Sequence, residues 1–560
     1  MMAHAAPNAG ARSRVPPAGG THPLTVMLWA ALWIASVANL ALWRALWQLP
    51  ELANGRGLAF GLGFALMIAV CHVGLFSLLA WRWTLKPVLT LFLLAAAAGA
   101  YFMLSYGVVI ERTMMVNVLL TDTREARELL SWRMAAALAL LGLLPVLLLW
   151  RVRIRWPGGW RQVRGNALTF GLAFIVLVGT GGLFFQDLSA TMRNHTQLRY
   201  LINPLNSFYA LAILGEQPIQ RNGAAVLPLG QDAHLAPLAA GARPPLVLLV
   251  VGETARADHF GLNGYARDTT PELAQRGVLS LRNAWSCGTN TAASLPCMFS
   301  PLGREAYDHR KDNTEGLADV LQHAGYAVLW LDNQAGGCKG VCDRVPTVDF
   351  KALQAPGLCS ADGECLDEVM LRDLDQRIAQ LPFDRRARGV VVFMHQMGSH
   401  GPAYYKRSPP ADKKFEPECK TNALQQCTRG QVVNAYDNTI VYTDHFLADS
   451  IDWLKTHEAH WAPALLYLSD HGESLGENNL YLHGLPYRFA PDAQKHIPWI
   501  FWLSPQFQQQ TGITLKCLAP LRDEKVSQDN YFHTVLGLLG VQTQVASPAL
   551  DLTASCRGKH

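Results

Sequence analysis

The sequence predicts a membrane protein of two unlike parts, five transmembrane α-helices followed by a globular α/β domain. Within the first 186 residues, five long segments contain no Asp, Glu, Lys or Arg. Roughly 20 apolar residues cross the ~30 Å hydrocarbon core of a bilayer, so each segment is close to the required length. From residue 243 onward, short apolar strands alternate with helical stretches, and this alternation is typical of an α/β domain.

The uncharged segments define the predicted spans, and the basic residues between them define the orientation. They are Leu24–Trp43, Gly57–Trp81, Pro87–Ile110, Met134–Trp150 and Gly165–Gln186. Basic residues precede the first span, separate the second from the third, and separate the fourth from the fifth: Arg12, Arg14, Arg82, Lys86, Arg151, Arg153, Arg155, Arg161 and Arg164. Cytoplasmic loops are enriched in Lys and Arg, so these segments are expected to face the cytoplasm. An odd number of spans then places the rest of the chain in the periplasm, with the protein in the bacterial inner membrane.

Composition sets the other predicted boundaries. Residues 1–23 are rich in Ala, Gly and Pro and are predicted to be disordered. The membrane domain covers residues 24–186 and includes a periplasmic interfacial segment at residues 111–133. Residues 187–242 are predicted as a connecting helix followed by a flexible linker. Residues 243–560 form the predicted periplasmic domain.

A polar stripe marks the interfacial segment. Its members recur at steps of four, four and three residues, which places them on one helix face at the outer membrane surface. They are Asn117, Thr121, Glu125 and Glu128. This face is either simply solvated, or it is a surface whose carboxylates attract the ammonium of a lipid headgroup.

Ten of the 11 cysteines lie after residue 280 and fall largely in close pairs. An even number of cysteines in an oxidising compartment predicts disulfides, although spacing leaves their connectivity open. Zinc ribbons are the alternative, but histidines at ribbon spacing are missing from the sequence. The suggested pairs are Cys287 with Cys297, Cys338 with Cys342, Cys359 with Cys365, Cys419 with Cys427, and Cys517 with Cys556.

Polar side chains follow four apolar strands of the α/β domain. Pro245–Val251 leads to Glu253, Tyr326–Leu331 leads to Asp332, Gly389–Met394 leads to His395 and His400, and Ala464–Leu468 leads to Asp470 and His471. Ligands bind outside the carboxyl ends of the strands in open α/β sheets, so these side chains are expected at one edge. Carboxylates and imidazoles are zinc ligands, and the pattern therefore predicts a metal site.

The stretch Ser286–Ser300, SCGTNTAASLPCMFS, places small hydroxyl residues at the apparent start of a helix. Free backbone N–H groups bind phosphate oxygens there, and an adjacent metal ion lowers the pKa of a hydroxyl. The simpler interpretation is a Thr or Ser that caps the helix. Composition leaves Thr289, Thr291 and Ser294 as equal candidates for a nucleophile.

Four motifs of this chain closely resemble the lipid A phosphoethanolamine transferases. The motifs are VVGETARADHFGLNGY, SCGTNTAASLPCMFS, HQMGSHGPAYYKR and SDHGESLGENNLYLHG. That family includes the mobile colistin-resistance enzymes and belongs to the alkaline phosphatase and sulfatase superfamily. The resemblance covers essentially the whole chain. It implies five spans, a periplasmic domain of alkaline phosphatase/sulfatase-like fold, and a zinc-dependent phosphoethanolamine transferase.

Matched position by position, the resemblance implies a zinc site with a threonine nucleophile. The zinc ligands fall on Glu253, Thr291, Asp470 and His471, and the nucleophile is the same Thr291. The resemblance implies one tightly bound zinc ion and leaves room for a second during turnover.

The same matching implies residues that handle the substrates. His400 and His483 correspond to histidines associated with the second zinc or with the substrate phosphate, and Lys339 corresponds to a basic residue near that phosphate. His395 lies close by in sequence and suits a proton carrier, because the ordinary pKa of histidine is ~6.5. The lipid-headgroup stripe of the family corresponds to Asn117, Thr121 and Glu125.

The implied activity is a two-step transfer of phosphoethanolamine. Thr291 attacks the phosphorus of phosphatidylethanolamine and releases diacylglycerol, and a phosphate of lipid A then attacks the phosphothreonine-type intermediate. Lipid A modified in this way carries less negative charge and binds polymyxin and other cationic peptides less tightly.

Two classes of alternative remain open at this point. One is an enzyme that uses another acceptor, such as core heptose or a periplasmic glucan, or that hydrolyses a phosphodiester. The other is a non-catalytic, membrane-anchored zinc-binding protein. In either case we expect a monomer among inner-membrane lipids. The net charge of +5 is small for 560 residues, so no nucleic-acid partner is expected.

Overall fold

The computed structural model describes residues 20–120, 123–216, 226–350, 355–360 and 363–557. The chain divides into two compact units, the first ending at residue 101 and resuming over residues 136–204, and the second formed by residues 102–135 and 205 onward. The interfacial segment therefore belongs to the unit of the α/β domain, whereas the sequence-based boundaries assign it to the membrane domain.

Five helical segments among the described residues are long and apolar enough to cross a membrane. They cover Pro23–Trp47, Gly55–Leu78, Leu85–Tyr106, Trp132–Arg151 and Gly159–Leu183, and each overlaps one predicted span. The helices up to the α/β domain are α1 (Pro23–Ser36), α2 (Leu40–Trp47), α3 (Gly55–Leu78), α4 (Leu85–Tyr106), α5 (Arg112–Leu120), α6 (Thr123–Leu129), α7 (Trp132–Leu138), α8 (Leu144–Arg151), α9 (Gly159–Leu183), α10 (Phe185–Asn194) and α11 (Leu205–Glu216). A π-helical turn at Ala139–Leu143 joins α7 to α8.

Two buried asparagines organise the first unit. A 3-10 turn at Val37–Asn39 interrupts the first span. Asn39 Nδ2 donates to Asn203 O at 2.7 Å, and Asn203 N donates back to Asn39 Oδ1 at 2.9 Å. Asn203 Nδ2 also donates to Ala38 O at 2.9 Å and to Ala96 O at 2.6 Å. These bonds satisfy two buried amides and tie the first and third spans to the chain that follows the fifth.

Twelve strands lie in the described part of the α/β domain. They are β1 (His234–Leu235), β2 (Pro245–Gly252), β3 (Leu279–Trp285), β4 (Ala327–Asp332), β5 (Thr347–Asp349), β6 (Val390–His395), β7 (Ala462–Ser469), β8 (Ser474–Leu475), β9 (Tyr481–Leu482), β10 (His496–Leu503), β11 (Val526–Ser527) and β12 (Val541–Gln542). Eight of them form the central sheet in the order β11-β3-β10-β7-β2-β6-β4-β5. The four strands singled out in the sequence are neighbours in this sheet and run parallel to one another, so their carboxyl ends share one edge.

The central strands β2, β4, β6 and β7 are buried along nearly their whole length, as expected of apolar strands in a sheet covered on both faces. The helices of this domain are α12 (Pro271–Gln275), α13 (Thr291–Met298), α14 (Gly303–Asp308), α15 (Leu317–Ala324), α16 (Leu374–Ala379), α17 (Phe383–Arg386), α18 (Arg429–Thr456), α19 (Pro505–Thr511), α20 (Leu515–Leu518) and α21 (Tyr531–Leu538). Apolar residues of α13, α15 and α21 pack into one buried core with side chains of the sheet, among them Trp330 and Phe393.

The cysteines of the α/β domain form five disulfides: Cys287–Cys297, Cys338–Cys342, Cys359–Cys365, Cys419–Cys427 and Cys517–Cys556. These pairings coincide with those that the spacing suggested. At the end of the predicted linker, β1 pairs with β12. Residues 1–19 and 217–225, which include most of the predicted disordered terminus and part of the predicted linker, lie outside the described residues.

Candidate metal and nucleophile site

Glu253, Asp470 and His471 lie together and are fully buried at the carboxyl ends of β2 and β7. The register of these parallel strands pairs Gly252 with Ser469, which brings the residues that follow each strand side by side. His471 Nε2 lies 3.3 Å from Glu253 Oε1 and 3.3 Å from Asp470 Oδ2. The three residues form a compact set of two carboxylates and one imidazole.

This donor set fits a divalent cation such as zinc. Catalytic zinc sites use three protein ligands of these types and keep a further position open. Asp470 Oδ2 is buried and accepts no hydrogen bond from any residue in the described part of the chain. Gln334 Nε2 donates to Glu253 Oε2 at 2.8 Å, a bond of the kind that orients metal ligands. A cation would satisfy the remaining carboxylate oxygen.

The pKa values indicate that a proton on His471 offsets the charge of the carboxylates when no cation is bound. Burial and the neighbouring Glu253 carboxylate raise the pKa of Asp470 to about 6. Although burial lowers it, the two carboxylates raise the pKa of His471 to about 10. Burial likewise opposes ionisation of Glu253, but hydrogen bonding and charge from His471 hold its pKa well below the ordinary value. A proton held on His471 is therefore the competitor of a bound metal ion.

Thr291 begins α13 with its hydroxyl beside the donor set. Its Oγ1 donates to Glu253 Oε2 at 3.1 Å and lies 3.5 Å from His471 Nε2. Asn290 caps the helix, because its side chain accepts a hydrogen bond from Ala293 N at 3.0 Å. The first turn of α13 thus presents backbone N–H groups next to a hydroxyl and a donor set for a cation.

The other two candidate nucleophiles hold the loop together. Thr289 Oγ1 donates to Leu485 O at 2.6 Å, and Ser294 Oγ accepts from Gly288 N at 2.9 Å. Of the three hydroxyls that composition left equal, the geometry favours that of Thr291.

Two further histidines, His483 and His400, extend the site beyond His471. The ring centroids of His471 and His483 are 4.3 Å apart, and those of His483 and His400 are 5.9 Å apart. His483 Nδ1 lies 3.2 Å from Glu473 Oε2. Burial lowers the pKa of His400 to about 3 against the opposing charge of Glu253. His400 therefore presents a neutral imidazole to this part of the site.

His395 ends β6, and Lys339 lies in the loop that follows the neighbouring strand β4. His395 is buried at the end of β6, with Nδ1 3.4 Å from Asp332 Oδ1 and its ring edge-on to Trp330. Lys339 lies half-buried in the loop closed by the Cys338–Cys342 disulfide and has a φ of 50°. The roles of these two residues stay predictions.

The interfacial stripe is only partly described. Asn117 is half-buried on α5, whereas Thr121 and the side chain of Glu125 lie outside the described residues. Glu128 was predicted to lie on a solvated or headgroup-binding face. Its side chain is instead only 5% exposed and pairs with Arg407 at 2.7 Å.

Several polar residues around the donor set were not predicted. Thr254 Oγ1 donates to Glu253 Oε1 at 2.7 Å, and Thr254 N donates to Asp470 Oδ1 at 3.1 Å. Gln528 is buried and lies 58 residues after Asp470 in the sequence. Its side chain bonds to Cys287 N at 2.6 Å and to Asp470 O at 2.7 Å. Thr254 directly follows the predicted ligand Glu253, and this position could have identified it from the sequence. No local sequence pattern distinguishes Gln528.

Comparisons with known proteins agree with this architecture. The sulfatase family model matches residues 245–541, and the model of phosphoethanolamine transferase EptA/EptB matches residues 68–218. The chain is 40% identical over 548 residues to phosphoethanolamine transferase EptA of Escherichia coli K12, covering 95% of this chain and 97% of the relative. It is 37% identical over 552 residues to phosphatidylethanolamine transferase Mcr-1 of Escherichia coli, covering 96% and 97%.

A solved structure matches nearly the full length of this chain. The integral membrane lipooligosaccharide phosphoethanolamine transferase A of Neisseria meningitidis matches with a TM-score of 0.90 and 35% identity, covering 96% of this chain and 99% of that one. The soluble domain of the same enzyme matches with a TM-score of 0.56 and 42% identity, covering 60% and 99%. The expected fold, five apolar helices with a periplasmic sulfatase-like domain at the inner membrane, is confirmed. The chain belongs to the phosphoethanolamine transferase family of the alkaline phosphatase and sulfatase superfamily.

Proposed function

We propose that this protein transfers phosphoethanolamine from phosphatidylethanolamine to a phosphate of lipid A, with Thr291 as the nucleophile. The observation that carries the proposal is the position of Thr291 Oγ1, 3.1 Å from Glu253 Oε2 at the first turn of α13. A hydroxyl placed between a cation site and a helix N-terminus suits attack on a phosphodiester. A relative named phosphatidylethanolamine transferase supports the choice of donor, and one named Kdo(2)-lipid A phosphoethanolamine 7''-transferase supports a lipid A molecule as the acceptor.

Glu253, Asp470 and His471 are the proposed ligands of one zinc ion, and Thr291 occupies the open position beside them. When bound, zinc supplies positive charge that lowers the pKa of the hydroxyl and stabilises the phosphate oxygens. We keep His400 and His483 as candidates either for a second zinc or for the acceptor phosphate. The ring of His483 lies next to that of His471, and the ring of His400 lies next to that of His483, which supports both roles.

The first step makes one bond and breaks one bond at phosphorus. Thr291 Oγ1 gives up its proton and bonds to the phosphorus of phosphatidylethanolamine, while the bond to the glycerol oxygen breaks and diacylglycerol leaves with a proton. Backbone N–H groups at the start of α13 and the ammonium of Lys339 hold the phosphate oxygens, whose charge increases in the transition state. A phosphoethanolamine ester of Thr291 remains.

The second step returns the enzyme to its starting state. A phosphate oxygen of lipid A bonds to the same phosphorus, and Thr291 Oγ1 leaves and is reprotonated. In this scheme His400 and His483 orient the acceptor and His395 carries protons. Asn117, Thr121 and Glu125 are proposed to hold the ethanolamine headgroup. The product carries an added ammonium, so we expect weaker polymyxin binding to the cell surface.

Intact-lipid mass spectrometry of lipid A from cells that express this protein tests the proposal. We expect a gain of about 123 Da, the mass of one transferred phosphoethanolamine group. The gain should disappear with Thr291→Ala and survive in part with Thr291→Ser, which keeps a hydroxyl. Modification that persists in Thr291→Ala would refute the nucleophile assignment.

The same cells separate the competing activities. Turnover of phosphatidylethanolamine without modified lipid A would move the acceptor to core heptose or a glucan, or indicate hydrolysis. Absence of turnover in the zinc-loaded protein would favour a non-catalytic zinc-binding protein.

A further inference from the structure

A buried ion-pair cluster lies outside the donor set and is not used in the proposed chemistry. It consists of Arg407, Lys406, Glu128 and Glu364, and we refer to it as the Arg407 cluster. We infer that this cluster fastens the interfacial helices α5 and α6 to the histidine loops, so that a donor bound at the membrane surface meets the catalytic groups in register. The inference rests on the proposed function and assigns Arg407 and Glu128 as positioning residues.

Arg407 is the centre of the cluster. The residue is 4% exposed. Its two terminal nitrogens lie 2.7 Å from Glu128 Oε2 and 2.7 Å from Glu364 Oε2. Its Nε donates to the backbone oxygen of His400 at 3.2 Å. One guanidinium therefore joins helix α6 to the loop that carries a site histidine.

Opposite charges face one another within the cluster. Lys406 Nζ lies 3.6 Å from Glu128 Oε1, so two cations face two carboxylates. Removing one partner of a buried ion pair leaves an uncompensated charge, which strongly disfavours that arrangement. Glu128 is therefore committed to Arg407 and is not available for a lipid ammonium.

Further contacts fasten the same segment to the Cys419–Cys427 loop and to the loop that carries His483. Asn422 Nδ2 donates to Glu128 O at 2.6 Å. Near the start of the segment, the methyl group of Met114 lies against Gly484, where it leaves no room for a Cβ atom. Gly484 directly follows His483. The interfacial segment is thus held to the loop of His400 at one end and to the loop of His483 at the other.

This arrangement indicates which reaction should depend on the cluster. The interfacial segment is the part of the second unit that the topology places at the membrane surface, and it carries the predicted headgroup stripe. Loss of the Glu128–Arg407 ion pair should loosen α6 while Arg407 still binds Glu364 and the backbone of His400. Turnover of a membrane-borne donor should then suffer, while chemistry on a small soluble ester should not.

The test uses the full chain in vesicles that contain phosphatidylethanolamine, with the water-soluble 4-nitrophenyl phosphodiester of ethanolamine as a second donor. For Glu128→Gln we expect kcat/KM on the lipid donor to fall about tenfold or more, because small misplacements of bound groups cost that much. We expect kcat/KM on the soluble donor to stay within about twofold. Arg407→Lys, which also disturbs the His400 loop, should lower both.

Two variants serve as controls. Glu128→Asp keeps the charge and should recover part of the lipid activity, which a general folding defect would not do. Glu524→Gln removes the same charge from an exposed carboxylate and should change neither reaction.

Two results would overturn the inference, and a third would overturn the proposed function. A parallel fall in both reactions of Glu128→Gln, at unchanged zinc content, would overturn the coupling role and make the residue part of the site chemistry. No change in either reaction would also overturn it. If the wild-type protein turns over neither donor, the proposed function itself fails.

Discussion

Single residues around the donor set hold the ligands in place. Thr254 has a φ of 61°, a left-handed backbone conformation that β-branched residues rarely adopt. From that conformation its hydroxyl reaches Glu253 and its N–H reaches Asp470. Such backbone strain persists only where the surroundings fix it, and it is concentrated at functional sites. Thr254 therefore orients two of the proposed ligands at once.

Gln528 connects the nucleophile loop to the ligand loop. Its Oε1 accepts from Cys287 N at 2.6 Å, and its Nε2 donates to Ser469 O at 2.8 Å and Asp470 O at 2.7 Å. Gln528→Glu keeps the shape but replaces two N–H donors with an oxygen that faces two carbonyl oxygens. We expect the free energy of unfolding to fall by about 2 kcal/mol, because buried acceptors lose their partners.

Thermal unfolding and phosphatidylethanolamine turnover measure this change together. We also expect a lower kcat, since the distance between Thr291 and the ligands depends on this bridge. Gln509→Glu, on an exposed face of α19, is the matched control and should leave both quantities unaltered. Wild-type stability and kcat in Gln528→Glu would contradict the bridging role.

Zinc affinity should depend on pH through His471. Its pKa of about 10 in the ion-free protein means that the imidazole carries a proton at neutral pH, and ligation requires the neutral form. Lower pH therefore opposes binding, by about tenfold in Kd per pH unit while one proton is displaced. The dependence should steepen below about pH 6, where Asp470 also binds a proton.

Competition with a zinc chelator from pH 5.5 to about 8.5 gives this slope directly. Proton release on binding, measured by calorimetry in buffers of different ionisation enthalpy, provides an independent value. An affinity that does not change with pH would exclude His471 as a ligand that must lose a proton.

Whole elements are positioned by a few buried polar bonds as well as by apolar packing. In the first unit, Asn39 and Asn203 exchange hydrogen bonds and fix the break in the first span. Asn203→Ala removes its side-chain bonds to Ala38 O and Ala96 O. We expect a loss of stability of about 1–2 kcal/mol, the upper range for buried polar contacts between membrane helices.

Thermal unfolding in detergent or vesicles tests the role of this pair. The double variant Asn39→Ala/Asn203→Ala should be less destabilised than the sum of the two single variants, because the Asn39 side chain bonds to the backbone of Asn203, which the side chain of Asn203 holds in place. Strict additivity would show that they act independently.

The parallel strands explain why the site was largely visible in the sequence. β7, β2, β6 and β4 are neighbours and end at the same edge, so a polar residue after each strand lies near the others. Glu253, Asp470 and His471 were identified in this way. Glu128 was assigned to a polar face by helical spacing alone, and spacing does not reveal that Arg407, 279 residues away, covers that face.

At the scale of the whole molecule, the chain combines a membrane part with a sulfatase-like domain. The spans follow from the absence of charge, and the side of the membrane follows from the basic loops, because both depend on composition over short windows. The grouping of residues 102–135 with the α/β domain depends on contacts made by distant parts of the chain. Local composition carries no information about such contacts.

The five spans, the periplasmic α/β domain, the polar residues that end its central strands and the family could all be predicted from the sequence alone. These features are local, since each depends on a run of apolar residues or on a short motif. Only the tertiary structure favoured Thr291 over Thr289 and Ser294, joined Gln528 to the ligand loop, and buried Glu128 against Arg407. Those features depend on strand register and on contacts between segments far apart in the chain, which no local pattern encodes.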